Sequence, residues 1–287
     1  MSTLTVKNLT YVYGEGTPFL KKAVDNVSFD IKDKSITGII GHTGSGKSTL
    51  VQMLNGILKP KSGEVLLDGE NIYKSKKTLY EARFKIGLVF QYPEYQLFDE
   101  TVRKDMAFGP KNMGLSSEEI EKRIIKAAEI TGLSSDLLDK SPFELSGGQK
   151  RRAAIAGVMV MMPQVLILDE PASGLDPIGR KAIFEALLKY RESVGATGII
   201  ISHSLEDMAK YAEDIIVLKE GRIIANGSAK EVFGMAEALG ENALSLPEIT
   251  RVILALQKRG IAIPSELYTV KDTAKAIYAL YREGEGK

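Results

Sequence analysis

The segment "GHTGSGKST", Gly41 to Thr49, has the residue types and spacing of a loop that binds phosphate groups. Its glycines let the backbone fold so that consecutive N–H groups point inward at the start of a helix. Lys47 supplies a mobile cation for the β- and γ-phosphates of a nucleotide, and Ser48 offers a hydroxyl to Mg²⁺. We expect His42 to be a solvated loop residue rather than a catalyst. The loop residues predicted to contact the nucleotide are Gly41, His42, Thr43, Gly44, Ser45, Gly46, Lys47, Ser48 and Thr49.

The apolar segment "VLILDE", Val165 to Glu170, ends in two acidic residues. A buried strand of this kind delivers its last residues to the carboxyl edge of an open α/β sheet, where ligands bind. Asp169 is predicted to orient Mg²⁺ through its water shell. Glu170 is predicted to polarise an attacking water as a general base. Together with the phosphate loop, this segment predicts an Mg-nucleotide triphosphatase.

A second glycine-containing segment, "ELSGGQKRR", also has the character of an anion-binding loop. It places a Ser-Gly-Gly turn at a predicted helix start, where backbone N–H groups attract negative charge. Three cationic residues follow, Lys150, Arg151 and Arg152, and they fit either added positive potential at that loop or a solvated helix face. The chain thus has two anion-binding loops but the pattern of only one nucleotide-binding core.

Because "LSGGQ" shortly precedes "LILDE", the chain resembles the ATP-binding cassette (ABC) ATPases, and further marks of that family occur in the expected order. The resemblance implies that Tyr13 in "YVYGEG" stacks on adenine, with Tyr11 as the substitute. It implies that Gln91 in "LVFQYPE" touches Mg²⁺ and relays to the transport partner. "SGLDP", Ser173 to Pro177, is similar to the D-loop, and His203 in "IISHSLED" to the switch histidine that contacts the γ-phosphate and positions the water.

The same resemblance gives the second loop a purpose, since ABC domains pair head to tail. In each subunit this second loop, "LSGGQ" at Leu145 to Gln149, is the signature loop. It closes over the nucleotide that is held by the other subunit. Two small departures from the family pattern, Ala172 and Ser204, remove no group that is assigned to chemistry. The residues that the resemblance places against the partner's nucleotide are Ser146, Gly147, Gly148, Gln149 and Asp176.

Strand patterns alternate with helical patterns around these motifs, which predicts βαβ units and a mostly parallel sheet. The resemblance implies an α/β P-loop NTPase fold with an N-terminal antiparallel β subdomain, a helical signature subdomain and a C-terminal helical extension. We place the ABC ATPase domain at residues 1–228, the inserted helical subdomain at about 92–155 and the extension at 229–287. The predicted strands are "VSFDI", "SITGII", "GEVLLDG", "VLILDE", "TGIIIS" and "DIIVL".

One helix of the middle region has start and stop signals. Ser116 with Glu119 three residues later is a capping-box pattern, and Gly132 can end the helix. The helix is predicted to bury one apolar face, formed by Ile120, Ile124, Ala127 and Ala128.

The last residues of the chain carry two more helical patterns. The first has an apolar stripe and ends at Gly260, and the second is capped by Thr269 with Asp272. The resemblance implies that this tail is a dimer-contact extension, with an independent regulatory domain as the alternative. The apolar positions are Ile249, Val252, Ile253 and Leu256 in the first pattern, and Val270, Ala274 and Ile277 in the second.

Composition narrows the function classes. The chain of 287 residues contains no cysteine, so disulfides, zinc-thiolate sites and cysteine nucleophiles are excluded. A formal net charge of +1 gives no general argument for binding nucleic acid or an anionic membrane. The most apolar stretch, "AAIAGVMVMM", is far shorter than the roughly 20 residues that span a bilayer. We interpret it as a buried core helix, and any work at a membrane is expected to use a partner.

Within this family the chain resembles most the ATPase subunits of energy-coupling factor (ECF) importers. The segments that carry this resemblance are "YGEGTPFLKKAVDNVSF", "VFQYPEYQLFDETV" and "LSGGQKRRAAIAGV". It is greatest to the second of the two paired A subunits. It implies a sister ATPase as dimer partner, a transmembrane T component docked beside the Q-loop around Tyr92 to Asp105, and a separate S component that selects a vitamin or other micronutrient. The location implied is peripheral, at the cytoplasmic face of the cell membrane.

Two other functions remain open from the sequence. One is the ATPase subunit of a conventional binding-protein-dependent ABC importer. The other is a soluble ABC ATPase that acts on nucleic acid or on another protein assembly. The membrane proteins that co-purify with the chain distinguish the two importers, and stimulation of hydrolysis by RNA or DNA would favour the last class.

Overall fold

The computed structural model describes residues 2–235, 248–264, 267 and 269–285. Its strands form two sheets, and its helices flank them. The strands are β1 Ser2–Tyr13, β2 Lys21–Lys32, β3 Ile36–Ile40, β4 Ser62–Leu67, β5 Glu70–Asn71, β6 Ile86–Val89, β7 Val165–Asp169, β8 Thr197–Ile201, β9 Asp214–Lys219 and β10 Arg222–Ser228. The helices are α1 Lys47–Leu54, α2 Lys76–Lys85, α3 Val102–Asn112, α4 Ser117–Thr131, α5 Gly147–Met159, α6 Pro177–Val194, α7 Leu205–Tyr211, α8 Ala229–Gly234, α9 Glu248–Lys258 and α10 Val270–Glu285.

The core sheet has the strand order β10-β9-β3-β8-β7-β6. Its five strands from β9 to β6 are parallel, and β10 pairs antiparallel with β9 at one edge. Every residue of β3, β7 and β8 is buried, because helices or the second sheet cover both faces. The predicted mostly parallel sheet is therefore confirmed.

The second sheet is antiparallel, with the order β2-β1-β4-β5. Apolar side chains of β1 and β2, such as Leu4 and Ile31, pack with Leu50 of α1 and with one face of the core sheet. The β1–β2 hairpin places Tyr13 opposite Lys21 at its end. This sheet is the expected N-terminal antiparallel subdomain, and it carries Tyr13 toward the phosphate loop.

Helices α3, α4 and α5 pack together on the other face of the core sheet, within the predicted helical lobe. The predicted apolar face of α4 is buried, and Gly132 ends the helix in the left-handed conformation. The capping box is only half formed. The Ser116 hydroxyl accepts from the Glu119 N–H at 3.3 Å, but the Glu119 carboxylate binds Arg123 at 2.7 Å instead of reaching back.

The predicted extension, residues 229–287, contains α8, and the part of it called the tail here contains α9 and α10. Residues 236–247 of the extension lie outside the described part of the chain. The predicted stripe of α9 is divided: Ile253 is fully buried, whereas Val252 is 46% exposed. Thr269 caps α10 as predicted, because its hydroxyl accepts from the Asp272 N–H at 3.2 Å. Among the described residues, no helix has the length and apolar character that crossing a membrane requires.

Candidate nucleotide-binding site

The phosphate loop connects β3 to α1, and two of its glycines cannot be replaced without moving backbone. Gly46 precedes α1 with a φ of +106°, and a Cβ there would lie 2.2 Å from the carbonyl oxygen of Ala23. A Cβ on Gly41 would lie 2.2 Å from the carbonyl oxygen of Leu218. The loop is therefore held by neighbouring strands in a fold that only glycine permits at these two positions.

Lys47 is the first residue of α1, and its side chain is buried inside the loop. Its ammonium donates to the carbonyl oxygens of Gly41 at 2.6 Å and His42 at 3.0 Å. Burial lowers the pKa of Lys47, while the negative charges of Glu170 and Asp169 act in the opposite direction. The cation thus lies between the loop and the two acidic residues that end β7.

Asp169 and Ser48 bring two oxygen ligands together beside the loop. Burial raises the pKa of Asp169, and a hydrogen bond from the Ser48 side chain opposes that rise. A hydroxyl and one carboxylate are the protein ligands that Mg²⁺ takes when substrate phosphates complete its shell. No cluster of three or more acidic or histidine side chains that could hold a metal by itself occurs among the described residues. The donors present therefore fit Mg²⁺ that arrives with a nucleotide.

Glu170 directly follows β7 with a φ of +49°, an unusual backbone conformation for a residue other than glycine. Burial raises the pKa of its carboxyl to about 7. Nε2 of His203 lies 2.9 Å from Oε1 of Glu170, and that buried oxygen makes no hydrogen bond within the described residues. Burial, followed by the charge of Lys47, lowers the pKa of His203. This pair can accept a proton from a water bound between it and a phosphate.

Tyr13 lies at the rim of the same cleft, and its hydroxyl is 3.2 Å from that of Thr49. Its ring is 42% exposed and packs edge-on against Tyr11, which does not line the cleft. Gln91 lines the cleft after β6. The predicted residues brought together there are Tyr13, Thr43, Gly44, Gly46, Lys47, Ser48, Thr49, Gln91, Asp169, Glu170 and His203.

Three members of the predicted loop do not line the cleft. Ser45 is buried, Gly41 is half-buried, and His42 is exposed, as expected for a solvated residue. Two lining residues, Lys21 and Ala23, were missed by the sequence analysis. The available signal was the strand pattern that starts after "TPFL", but only the register of β1 with β2 shows that Lys21 is opposite Tyr13.

The signature segment is separate from this cleft, since none of its residues line it. Ser146 caps α5 in a complete capping box: its hydroxyl accepts from the Gln149 N–H at 3.4 Å, and its own N–H donates to the Gln149 side chain at 2.8 Å. A Cβ built on Gly147 or Gly148 would meet no atom within 4 Å. The N-terminus of α5 therefore faces open space within this chain.

The remaining predicted partner-facing residue, Asp176, caps α6 by accepting from the Gly179 N–H at 2.6 Å. Ser204, one of the two departures, has a comparable role as the cap of α7. The solvated-face interpretation of the basic triplet is wrong for Arg151, which is 2% exposed. It is buried against the segment after Gln91 and the turn after Glu170, a contact that the helical pattern alone did not reveal.

Sequence comparison places these motifs in a known context. The pattern of the family described as "ABC transporter" matches residues 24–173. The "Energy-coupling factor transporter ATP-binding protein EcfA2" of Caldanaerobacter subterraneus subsp. tengcongensis is 49% identical over 279 residues, covering 97% of this chain and 98% of the relative. The protein of the same name from Clostridium acetobutylicum is 50% identical over 275 residues, which is 96% of either chain.

Solved structures share the fold. One is cbiO1 from Clostridium perfringens, described as part of the ABC transporter complex cbiONQ, with a TM-score of 0.74 and 43% identity over 88% of this chain and 99% of that one. Another is the cassette MJ0796, described as a dimer in a post-hydrolysis state bound to ADP and Pi. Its TM-score is 0.70, with 30% identity over 79% of this chain and 98% of that one.

Proposed function

Since this chain belongs to the ABC transporter family, as an ATP-binding protein of the energy-coupling factor type, we propose that its P-loop cleft binds Mg-ATP and hydrolyses it to power uptake of a micronutrient. One observation carries the proposal. A single cleft combines the buried cation Lys47, the Mg²⁺ donors Ser48 and Asp169, and the pair of Glu170 and His203. These are the groups that phosphoryl transfer to water requires.

The residues along the cleft would contact successive parts of the nucleotide, from the base at the rim to the γ-phosphate. Tyr13 stacks on adenine at the rim, and the N–H groups of the loop with Lys47 hold the β- and γ-phosphates. Ser48, Asp169 and Gln91 would hold Mg²⁺, which neutralises charge on the β- and γ-oxygens when it is bound.

Glu170 and His203 handle the attacking water. Glu170 accepts its proton as the water oxygen bonds to the γ-phosphorus and the bond to the bridging oxygen of ADP breaks. His203 contacts the γ-phosphate and orients that water. A carboxyl with a pKa of about 7 is well matched to this role at neutral pH, because it exists in its basic form and holds a proton once transferred.

The second part of the proposal is that hydrolysis needs two subunits. The open N-terminus of α5, with Ser146 to Gln149, would close over a nucleotide held by the partner's loop, together with Asp176 at the start of α6. The dimeric state described for MJ0796 with ADP and Pi supports this arrangement. We propose that the partner is a sister ATPase, and that a copy of this chain is the alternative.

A groove beside the Q-loop fits the proposed T component. It includes Phe98 and Phe108, which are exposed and pack edge to face with ring centroids 5.2 Å apart, above Gly157 of α5. An amphipathic helix of the membrane partner would bury these rings. The exchange Phe98→Asp is expected to remove the T component from the purified assembly while ATP binding by this chain is retained.

The tail fits the proposed dimer contact. One face of α10 carries four large apolar or aromatic side chains at helical spacing. All four are exposed within this chain: Val270, Ile277, Tyr278 and Tyr281. A subunit packed on that face would bury them. Removal of the tail is therefore expected to weaken association of the two ATPase subunits and to leave the cleft itself intact.

The experiment that tests the function is purification of the tagged chain from membranes with its bound partners, followed by a phosphate-release assay. We expect a sister ATPase, a T component and an S component, with hydrolysis that stops when EDTA removes Mg²⁺. These partners would locate the chain at the cytoplasmic face of the membrane, and the S component would select the substrate. A periplasmic-type binding protein with two transmembrane subunits would instead indicate a conventional importer, and stimulation by RNA or DNA would contradict the transport function.

A further inference from the structure

Arg151 stands out as a charged side chain that is almost completely removed from solvent although it lies on the second turn of the helix that begins at the signature loop. Arginine is rarely buried without partners, because the desolvation of its charge is costly. The functional site described above does not use this residue. Its contacts therefore need their own explanation.

The first contact joins Arg151 to the segment that follows Gln91. Nε of Arg151 lies 3.2 Å from Oε2 of Glu94, and the guanidinium lies over the ring of Tyr92 at 5.6 Å from its centroid. Tyr92 has a φ of +55°, so the chain turns sharply directly after the residue that lines the cleft. The cation thus stabilises an unusual turn through one ion pair and one cation–π contact.

The second contact joins Arg151 to the turn that follows Glu170. Nη1 of Arg151 donates to the carbonyl oxygen of Ser173 at 2.5 Å, and the Ser173 N–H donates to the carbonyl oxygen of Glu170 at 3.1 Å. The hydroxyls of Tyr92 and Ser173 are 3.3 Å apart and close the arrangement. Two hydrogen bonds therefore separate the guanidinium from the backbone of the proposed general base.

We propose that Arg151 is a positioning residue that fixes the loop after Gln91 and the turn after Glu170 to the signature helix α5. This inference rests on the proposed function, in which both loops serve hydrolysis and α5 serves the partner's site. A movement of α5 on closing over the partner's nucleotide would then be transmitted to the backbone of Glu170 in this subunit. One planar guanidinium suits this role because it can pair with a carboxylate, lie over a ring and donate a hydrogen bond at the same time.

The test measures turnover and ATP dependence in the assembly with the sister subunit. Arg151→Met removes the charge but keeps much of the volume, and we expect kcat to fall about tenfold while KM stays within about twofold. Arg151→Lys keeps the charge without the planar group and should recover part of the loss. Arg191→Met is the matched control, since Arg191 is also a helical arginine but pairs with Glu213, outside both loops and the segment proposed to dock the T component.

A merely structural arginine would give a different pattern. Its loss would lower the fraction of folded protein, so turnover per folded assembly would be unchanged and Arg151→Lys would not matter beyond stability. The combination of Arg151→Met with Glu94→Gln should be non-additive in kcat, because both changes break the same contact. An unchanged kcat in Arg151→Met, or simple additivity in the double variant, would overturn the inference.

Amide hydrogen exchange on the full chain makes the inference independent of activity. Arg151→Met should speed exchange in residues 91–97 and 173–176 together, and Arg191→Met in neither. Should the unmodified assembly release no phosphate, the proposed function fails, while this measurement still decides the positioning role. Unchanged exchange in both segments would contradict it.

Discussion

The phosphate loop and the signature loop use the same device, a glycine-containing turn at the start of a helix, but their surroundings differ completely. At Gly46 a single added methyl would strike the backbone of Ala23, and the loop encloses a buried cation that faces two carboxylates. At Gly148 an added methyl would meet nothing within 4 Å, and Ser146 and Gln149 cap only each other. The phosphate loop is therefore enclosed by residues of its own chain, whereas no part of the described chain encloses a ligand at the signature loop.

The binding properties of each loop follow from this difference in surroundings. The first is shaped by neighbouring strands of its own chain, so its binding properties belong to the isolated subunit. The second offers helix N–H groups and an open surface, which become a site only when another surface supplies the phosphate. A substitution in either loop therefore separates what the isolated chain does from what needs a second surface.

The largest effect is expected at Glu170, the proposed general base beside the phosphate loop. Glu170→Gln removes the base but keeps the shape, so hydrolysis should fall about 10²–10⁴-fold in a phosphate-release assay while ATP binding persists. Glu185→Gln, an exposed carboxylate on α6, is the matched control and should leave both unchanged. Normal hydrolysis by Glu170→Gln would show that another group acts as the base.

The next effect concerns binding by the isolated chain. Lys47→Ala deletes the buried cation of the loop, and isothermal titration should show affinity for ATP reduced roughly 100-fold, the worth of charge-assisted hydrogen bonds to phosphate. Lys122→Ala, which removes an exposed lysine of α4, should bind ATP as before. Equal affinities for Lys47→Ala and the unmodified chain would contradict the claim that this loop is complete by itself.

The pH dependence tests the environment of Glu170. Since its carboxyl must be deprotonated to accept a proton and its pKa is about 7, kcat/KM should rise with pH through neutrality. Below that pKa, the expected fall is about tenfold per pH unit. A profile of kcat/KM that is flat between pH 6 and 8 would argue against a buried carboxyl as the base.

The smallest effects compare the two glycines directly. Gly46→Ala is expected to destabilise the chain by about 1–3 kcal/mol, because of its positive φ and the blocked Cβ. Gly148→Ala should leave the chain as stable or raise the free energy of unfolding by about 0.5 kcal/mol, since alanine favours a helix. Urea unfolding of both variants measures this. A loss of stability in Gly148→Ala would show that its loop is constrained within the chain.

The parts of the site that the sequence predicted are those in which the chemistry is contiguous. The loop from Gly41 to Thr49 and the pair after β7 carry their own spacing, and a strand before each one places them at the same sheet edge. The helix caps at Ser146 and Asp176 are also local, but the sequence analysis gave these two residues only partner-facing roles. The predicted partners and the partner-facing roles of these residues remain predictions.

Other features depended on packing between distant segments. Arg151 is buried only because residues near 92 and 173 fold over it, and a helical pattern cannot show that. Helix α2 was not predicted because only Ala82 of its residues is buried, so it has no apolar stripe, and α3 was obscured by an internal Pro110. In α9 the apolar spacing was correct, but exposure of Val252 depends on what covers that face.

We propose that the signature loop completes a nucleotide site on another subunit. Its most direct test is ATP affinity of the isolated chain and hydrolysis by the two-subunit assembly, both measured for Ser146→Arg. We predict an affinity within about twofold of the unmodified chain and hydrolysis reduced about 100-fold. Loss of ATP binding by the isolated Ser146→Arg chain would contradict the claim, because the loop would then belong to the chain's own site.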